Sequence, residues 1–153
     1  MTPGQRLAKM GLAIPAPAPP KGAYFPSRIH RGELWVSGCT ARAGNDPALR
    51  GVVGEDVSID DAQYQAERAA LNLLGAIEAA VGLDSVTALL HLRGYVRAVP
   101  DFDRHPVVVD GASKLLLAVF GDAVGVHART AIGVASLPGG ACVELDLVAA
   151  VSA

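Results

Sequence analysis

Residues 58–93 read SIDDAQYQAERAALNLLGAIEAAVGLDSVTALLHLR, and the change of period inside this stretch decides the fold class. Ala62, Ala66, Ala69, Leu73, Leu74, Ile77, Ala80 and Val81 recur at the spacing that lays apolar side chains along one face of a helix. Ser58 with Asp61 forms a start signal and Gly82 a stop, so a helix over 59–81 is predicted. From Val86 the period drops to two. Val86, Ala88, Leu90 and Leu92 alternate with Thr87, Leu89, His91 and Arg93, which predicts a strand with one well-buried face and one mixed face.

Toward the N-terminus, Glu33-Leu-Trp-Val-Ser-Gly38 reads as a strand, paired through a turn at Arg31-Gly32 with an extended segment around 23–29. The stretch 43–56 is mostly loop, with a short third strand expected near Val52-Val53. After Pro100 and Pro106 a second helix is expected over Val108–Phe120, ended by Gly121. Strands at about 129–137 and 141–151 follow, and the intervening Pro138-Gly139-Gly140 suits a tight hairpin. The order β-β-(β)-α-β-α-β-β argues for an α+β domain, a mixed sheet with both helices on one face. The other face then needs cover, which a neighbouring subunit supplies most economically.

Composition narrows the function classes. With 153 residues there is room for one domain, here 22–153, preceded by an arm over 1–21. Residues 4–12 of the arm can form a short helix, and Pro15, Pro17, Pro19 and Pro20 then impose extended geometry. Half of the residues are apolar and only 18% are charged, leaving little charge to coat so small a surface. Some apolar surface is expected to meet another subunit. The net charge of −2 and scattered basic residues argue against nucleic acid as a partner. The expected location is cytoplasmic, since no apolar run has secretory or membrane-spanning length.

Cys39 and Cys142 lack partners at metal-binding spacing, and His30, His91, His105 and His127 lack paired acids, so neither metal nor cofactor is expected. No phosphate loop and no nucleophile elbow is present; Ser37 lies in Val-Ser-Gly-Cys without the glycine two residues before it. Two isolated charges stand out. Arg129 opens an otherwise apolar strand, and Glu144 lies among Val143, Leu145 and Leu147. With a two-residue hairpin at Gly139-Gly140 they face the same side, about 20 Å apart along the ladder. They then meet only across a subunit boundary. The bland alternative is a strand-end arginine and a locally satisfied glutamate.

Gly22-Ala-Tyr24, Leu34-Trp-Val-Ser-Gly38, the capped alanine-rich helix, and Ala128-Arg-Thr-Ala-Ile-Gly-Val-Ala-Ser-Leu-Pro138 followed by Val143-Glu-Leu-Asp146 resemble the RidA/YjgF family, also called endoribonuclease L-PSP-like. The resemblance covers roughly 22–151, and the proline-rich arm is similar to that of a longer branch. It implies a chorismate-mutase-like subunit in a homotrimer with three clefts between chains. It also implies hydrolysis of 2-iminopropanoate-type and 2-iminobutanoate-type imines and enamines to 2-oxo acids and ammonia, without a cofactor.

Carried over by position, Arg129 corresponds to the substrate-carboxylate arginine and Glu144 to the glutamate that places the attacking water. Tyr24 corresponds to the cleft tyrosine and Ser37-Gly38 to the wall beside the ligand. Cys39, Ala131 and Gly133 stand where many members carry an amide, a cysteine and an acid, which makes this cleft less polar. His127 stands where a proline is frequent and adds a titratable donor or a solvent-facing loop histidine. A non-catalytic trimer binding a small carboxylate metabolite is the alternative in the same architecture. A ribonuclease is disfavoured by the missing basic groove, stacking aromatics and histidine pair.

Overall fold

The computed structural model describes residues 1–152. Its longest helix, α2 (Ile59–Val81), has the limits that the periodicity predicts. Ser58 Oγ accepts the Asp61 amide at 3.1 Å, and Gly82, at φ 79°, closes the far end. The next helix, α3 (His105–Phe120), begins three residues before the expected Val108. Pro106 lies in its first turn, where the missing N–H has no intrahelical acceptor to satisfy, so the proline starts the helix instead of preceding it. A one-turn helix, α4 (Asp122–Gly125), follows.

Helices α2 and α3 pack against each other at Gly111, where an added Cβ would run into the Gln63 carbonyl of the facing backbone. Backbone cannot yield as a side-chain tip does. Gly111→Ala is therefore expected to destabilise the fold by about 1–3 kcal/mol, read as a lower urea midpoint. An unchanged midpoint would mean that the two helices can separate without cost.

Among the described residues five strands form one sheet: β1 (Ser27–His30), β2 (Glu33–Cys39), β3 (Val86–Arg97), β4 (Ala128–Val134) and β5 (Val143–Val151), in the order β1-β2-β5-β3-β4. The expected β1–β2 hairpin turns at Arg31 and Gly32, both at positive φ (50° and 79°), the twist that a two-residue antiparallel turn requires. The expected hairpin at Pro138-Gly140 is absent. β4 pairs in parallel with β3 at the sheet edge, while β5 lies between β2 and β3, antiparallel to both. Burial explains the exchange: β5 buries Val143, Leu145, Leu147, Val148 and Ala149, whereas β4 is exposed or half-buried at every position. A strand so apolar needs neighbours on both sides.

The third strand expected near Val52-Val53 contracts to single bridges from Val53 to Val57 and Ala98. The alternation in β3 also slips. Register shifts occur between Val86 and Ala88 and between Leu89 and His91, so Leu89 is 3% exposed and Leu90 37%, opposite to the simple period.

Both long helices cover one face of the sheet, and the core lies between them and Leu34, Val36, Leu92, Val96, Leu145 and Leu147. The opposite face is open and carries Trp35 and Ile132 exposed. In the arm, α1 (Pro3–Lys9) starts with a Thr2/Gln5 capping box and packs on α3. Its Leu7 is buried in the same core, and Arg6 donates to the Val119 carbonyl at 3.1 Å. The short helix is thus a core contributor, where an arm outside the core was expected. Gly75 of α2 leaves room for the Pro15 carbonyl of the extended segment. Among the described residues no helix is long and apolar enough to cross a membrane.

Candidate functional site

Arg129 lies on edge strand β4 opposite Leu92 of β3, and paired residues of neighbouring strands point to the same face. Because Leu92 is in the core, Arg129 faces the helix side. Its guanidinium reaches along the rim to α3: Nη1 donates to Asp110 Oδ1 at 2.8 Å and to Ser113 Oγ at 3.1 Å, and Nη2 approaches the Pro106 carbonyl at 3.4 Å. The side chain stays 23% exposed. It is held in place without being sealed off. Ala131, two residues on, packs against the core on the same side.

Glu144 lies on the other face. It is paired with Tyr95 of β3, three positions beyond Leu92 and therefore opposite in phase. Its carboxyl group rests against Gly38, where a bulge in the β2–β5 ladder brings the backbone close; a Cβ there would be 2.8 Å from Oε1. Burial, with the Asp146 charge second, pushes the Glu144 pKa above the usual carboxylate range. Such a group takes up and releases a proton nearer neutrality.

Beside it runs a network on the same face. Arg93 Nε donates to Asp146 Oδ1 at 2.6 Å and Tyr95 Oη donates to Asp146 Oδ2 at 3.0 Å. Tyr24, Ser37, Gly38, Arg93 and Asp146 line one open groove. Ser37 Oγ donates to the Phe25 carbonyl at 2.7 Å, which ties the Tyr24-Phe25 segment to β2 and half-exposes Tyr24 to the groove. Cys39 donates weakly to the Ser37 carbonyl at 3.5 Å. Burial and then the charges of Glu144 and Asp146 push its thiol up to about 12, so it remains a neutral thiol at ordinary pH. Cys142 is a buried free thiol.

One chain therefore assembles Tyr24, Ser37, Gly38 and Glu144 around the open face and leaves Arg129 and Ala131 on the helix side, with β3 between. Cys39, paired with core residue Leu145 beyond the bulge, turns to the helix side and packs against the core, away from the ligand wall expected of it. The expectation that Arg129 and Glu144 share a face fails, because it depended on the absent hairpin. Two sets of partners escaped sequence reasoning. Arg93, Tyr95 and Asp146 share the polar phase of β3 and β5, a signal visible once those strands are paired. Asp110 and Ser113, three apart on α3, carry a visible helical spacing but no hint of the strand they meet. His127 is half-buried and bonded to Ser113, not solvent-facing. Among the described residues no group of three or more His, Cys, Asp or Glu is placed to hold a metal ion.

Comparison with known proteins places this arrangement. The family model described as "YjgF/chorismate_mutase-like, putative endoribonuclease" matches residues 4–150. Protein TCP17 of Trypanosoma cruzi is 37% identical over 141 residues, spanning 92% of this chain and 88% of that protein. The crystal structure of Atu1372 from Agrobacterium tumefaciens, a protein of unknown function, superposes with a TM-score of 0.90 at 35% identity, covering 99% of this chain and 93% of that one. A structure from Shewanella oneidensis, described as a putative endoribonuclease, gives 0.94 at 29% identity over 99% of this chain and 100% of its own. With the mixed sheet, the helix-covered face and the matched length all in agreement, the chain belongs to the YjgF/chorismate mutase-like family.

Proposed function

We propose that this protein hydrolyses imines and enamines of short 2-amino acids to 2-oxo acids and ammonia, in clefts between copies of the chain in a trimer. The observation that carries the reading is the division of one functional set between two surfaces. Arg129 is braced at a free sheet edge, and Glu144, its pKa raised, stands with Tyr24 and Gly38 on the open face. A second copy whose open face meets that edge completes the set. The uncovered sheet face needs such a partner for its exposed Trp35 and Ile132.

The chemistry asks little of the protein. The guanidinium grips the substrate carboxylate, which fixes the imine carbon relative to one water. Water adds to that carbon, and Glu144 takes its proton and passes it to the nitrogen. The resulting carbinolamine then gives its hydroxyl proton, again by way of Glu144, to the amine as the C–N bond breaks, so that the carbonyl forms and ammonia leaves. Nothing is oxidised or reduced. A purely ligand-binding trimer is the second reading, favoured by the fact that Arg129 is braced with no help from Glu144.

The test couples a threonine or serine dehydratase to the purified protein, with semicarbazide competing for the imine. Faster release of 2-oxo acid is expected; release no faster than in buffer would leave the binding reading. Gly38→Ala sharpens it. The new methyl must displace the Glu144 carboxyl, so turnover is expected to fall roughly 10- to 100-fold while the melting temperature barely moves. Full turnover in that variant would remove Glu144 from the reaction.

A further inference from the structure

We propose that Ser113 and His127 are positioning residues for Arg129, joined to it in one directed chain of hydrogen bonds that keeps one edge of the guanidinium free for a ligand carboxylate. His127 Nδ1 lies 2.7 Å from the Gly125 carbonyl oxygen, which can only accept, so Nδ1 carries the hydrogen. In the neutral ring Nε2 is then a lone pair. It lies 3.0 Å from Ser113 Oγ, and the serine hydroxyl must donate to it. The hydroxyl oxygen is left as an acceptor, and Arg129 Nη1 donates to it at 3.1 Å.

The direction matters because each bond polarises the next. With its proton committed to His127, Ser113 presents only an acceptor to the arginine. Nη1 is filled by Ser113 and by Asp110, whereas the Nε–Nη2 edge has nothing shorter than the 3.4 Å approach to the Pro106 carbonyl. That edge is a planar pair of donors suited to a carboxylate. Ser113 is moreover a polar residue on the buried stripe of α3, 9% exposed among Val109, Ala112 and Leu116. A buried hydroxyl is costly unless it is bonded, and here its bonds leave the helix for the strand that bears Arg129.

The inference rests on Arg129 being the carboxylate anchor, so the experiment separates the two. The full-length protein is titrated calorimetrically with 2-oxobutanoate, a carboxylate that does not react. Arg129→Ala is the reference and should weaken binding roughly 100-fold. Ser113→Ala and His127→Phe should each weaken it roughly 5- to 10-fold. Their double variant should be no weaker than either alone, because both break the same chain. Ser113→Thr, which restores the hydroxyl, should return the affinity to within about twofold.

A merely structural role would lower the melting temperature and leave affinity in place. If Arg129→Ala loses binding while Ser113→Ala and His127→Phe keep it, the positioning role is overturned and the anchor stands. If Arg129→Ala binds normally, or the unaltered protein shows no binding, the anchor itself falls and the inference with it. Should the phenylalanine variant not fold, the Ser113→Ala and Ser113→Thr pair decides alone.

Discussion

Replacing Arg129 by lysine is expected to lower kcat/KM for 2-iminobutanoate by roughly 100-fold or more, and alanine should do no better. Lysine keeps the charge but not the fork. Its single ammonium is drawn to Asp110, which already accepts from Nη1 at 2.8 Å, and its three donors radiate from one nitrogen, so they cannot form the planar two-nitrogen fork that holds a ligand carboxylate. The fold should scarcely notice. Arg129 and Asp110 form a partly exposed pair at the sheet rim, worth at most about 1 kcal/mol, so the urea midpoint moves little. The dehydratase-coupled assay and an unfolding curve on the same preparation separate catalysis from stability. Turnover that survives either substitution removes Arg129 from the mechanism.

Glu144→Gln produces the second large effect. On the proposed mechanism, turnover is expected to fall by roughly 100- to 10,000-fold because the amide cannot accept the water proton, while 2-oxobutanoate should bind as before, its carboxylate being assigned to Arg129. The same substitution has a signature in stability. Burial and the charge of Asp146 raise the pKa of Glu144 in the folded chain, so the folded state binds that proton more tightly than the unfolded state. Unfolding then releases protons in the window between the two pKa values, and stability declines as pH rises through it. The penalty is absent below about pH 4 and complete above the folded pKa. Glutamine never ionises. The variant should therefore match the unaltered protein in acid and exceed it in urea resistance at neutral pH. Equal midpoints at both pH values would show that Glu144 carries no buried charge.

The side chains that brace Arg129 are the part of the site that sequence could not supply. A serine inside an apolar helix stripe and a histidine before a strand are common enough to pass unremarked. Only when α3 lies along β4 does the interval from Asp110 to Ser113 become a cradle for a guanidinium. Arg93, Tyr95 and Asp146 likewise look like ordinary polar strand positions until β3 and β5 are paired.

What could be read from residues alone was local. The period of 3.6 between Ser58 and Gly82 and the turn at Arg31-Gly32 depend on near neighbours in the chain, and those elements form as read; the family resemblance around Arg129 and Glu144 is local in the same way. Strand order and face were settled elsewhere. Pro138-Gly139-Gly140 is as compatible with a crossover past β3 as with a hairpin, and the choice lies with burial: apolar β5 gains by sitting between two strands, and half-polar β4 is tolerated at the edge. That choice sends Arg129 and Glu144 to opposite faces. A period of two states which residues of one strand share a side, but only pairing between distant strands decides which side that is.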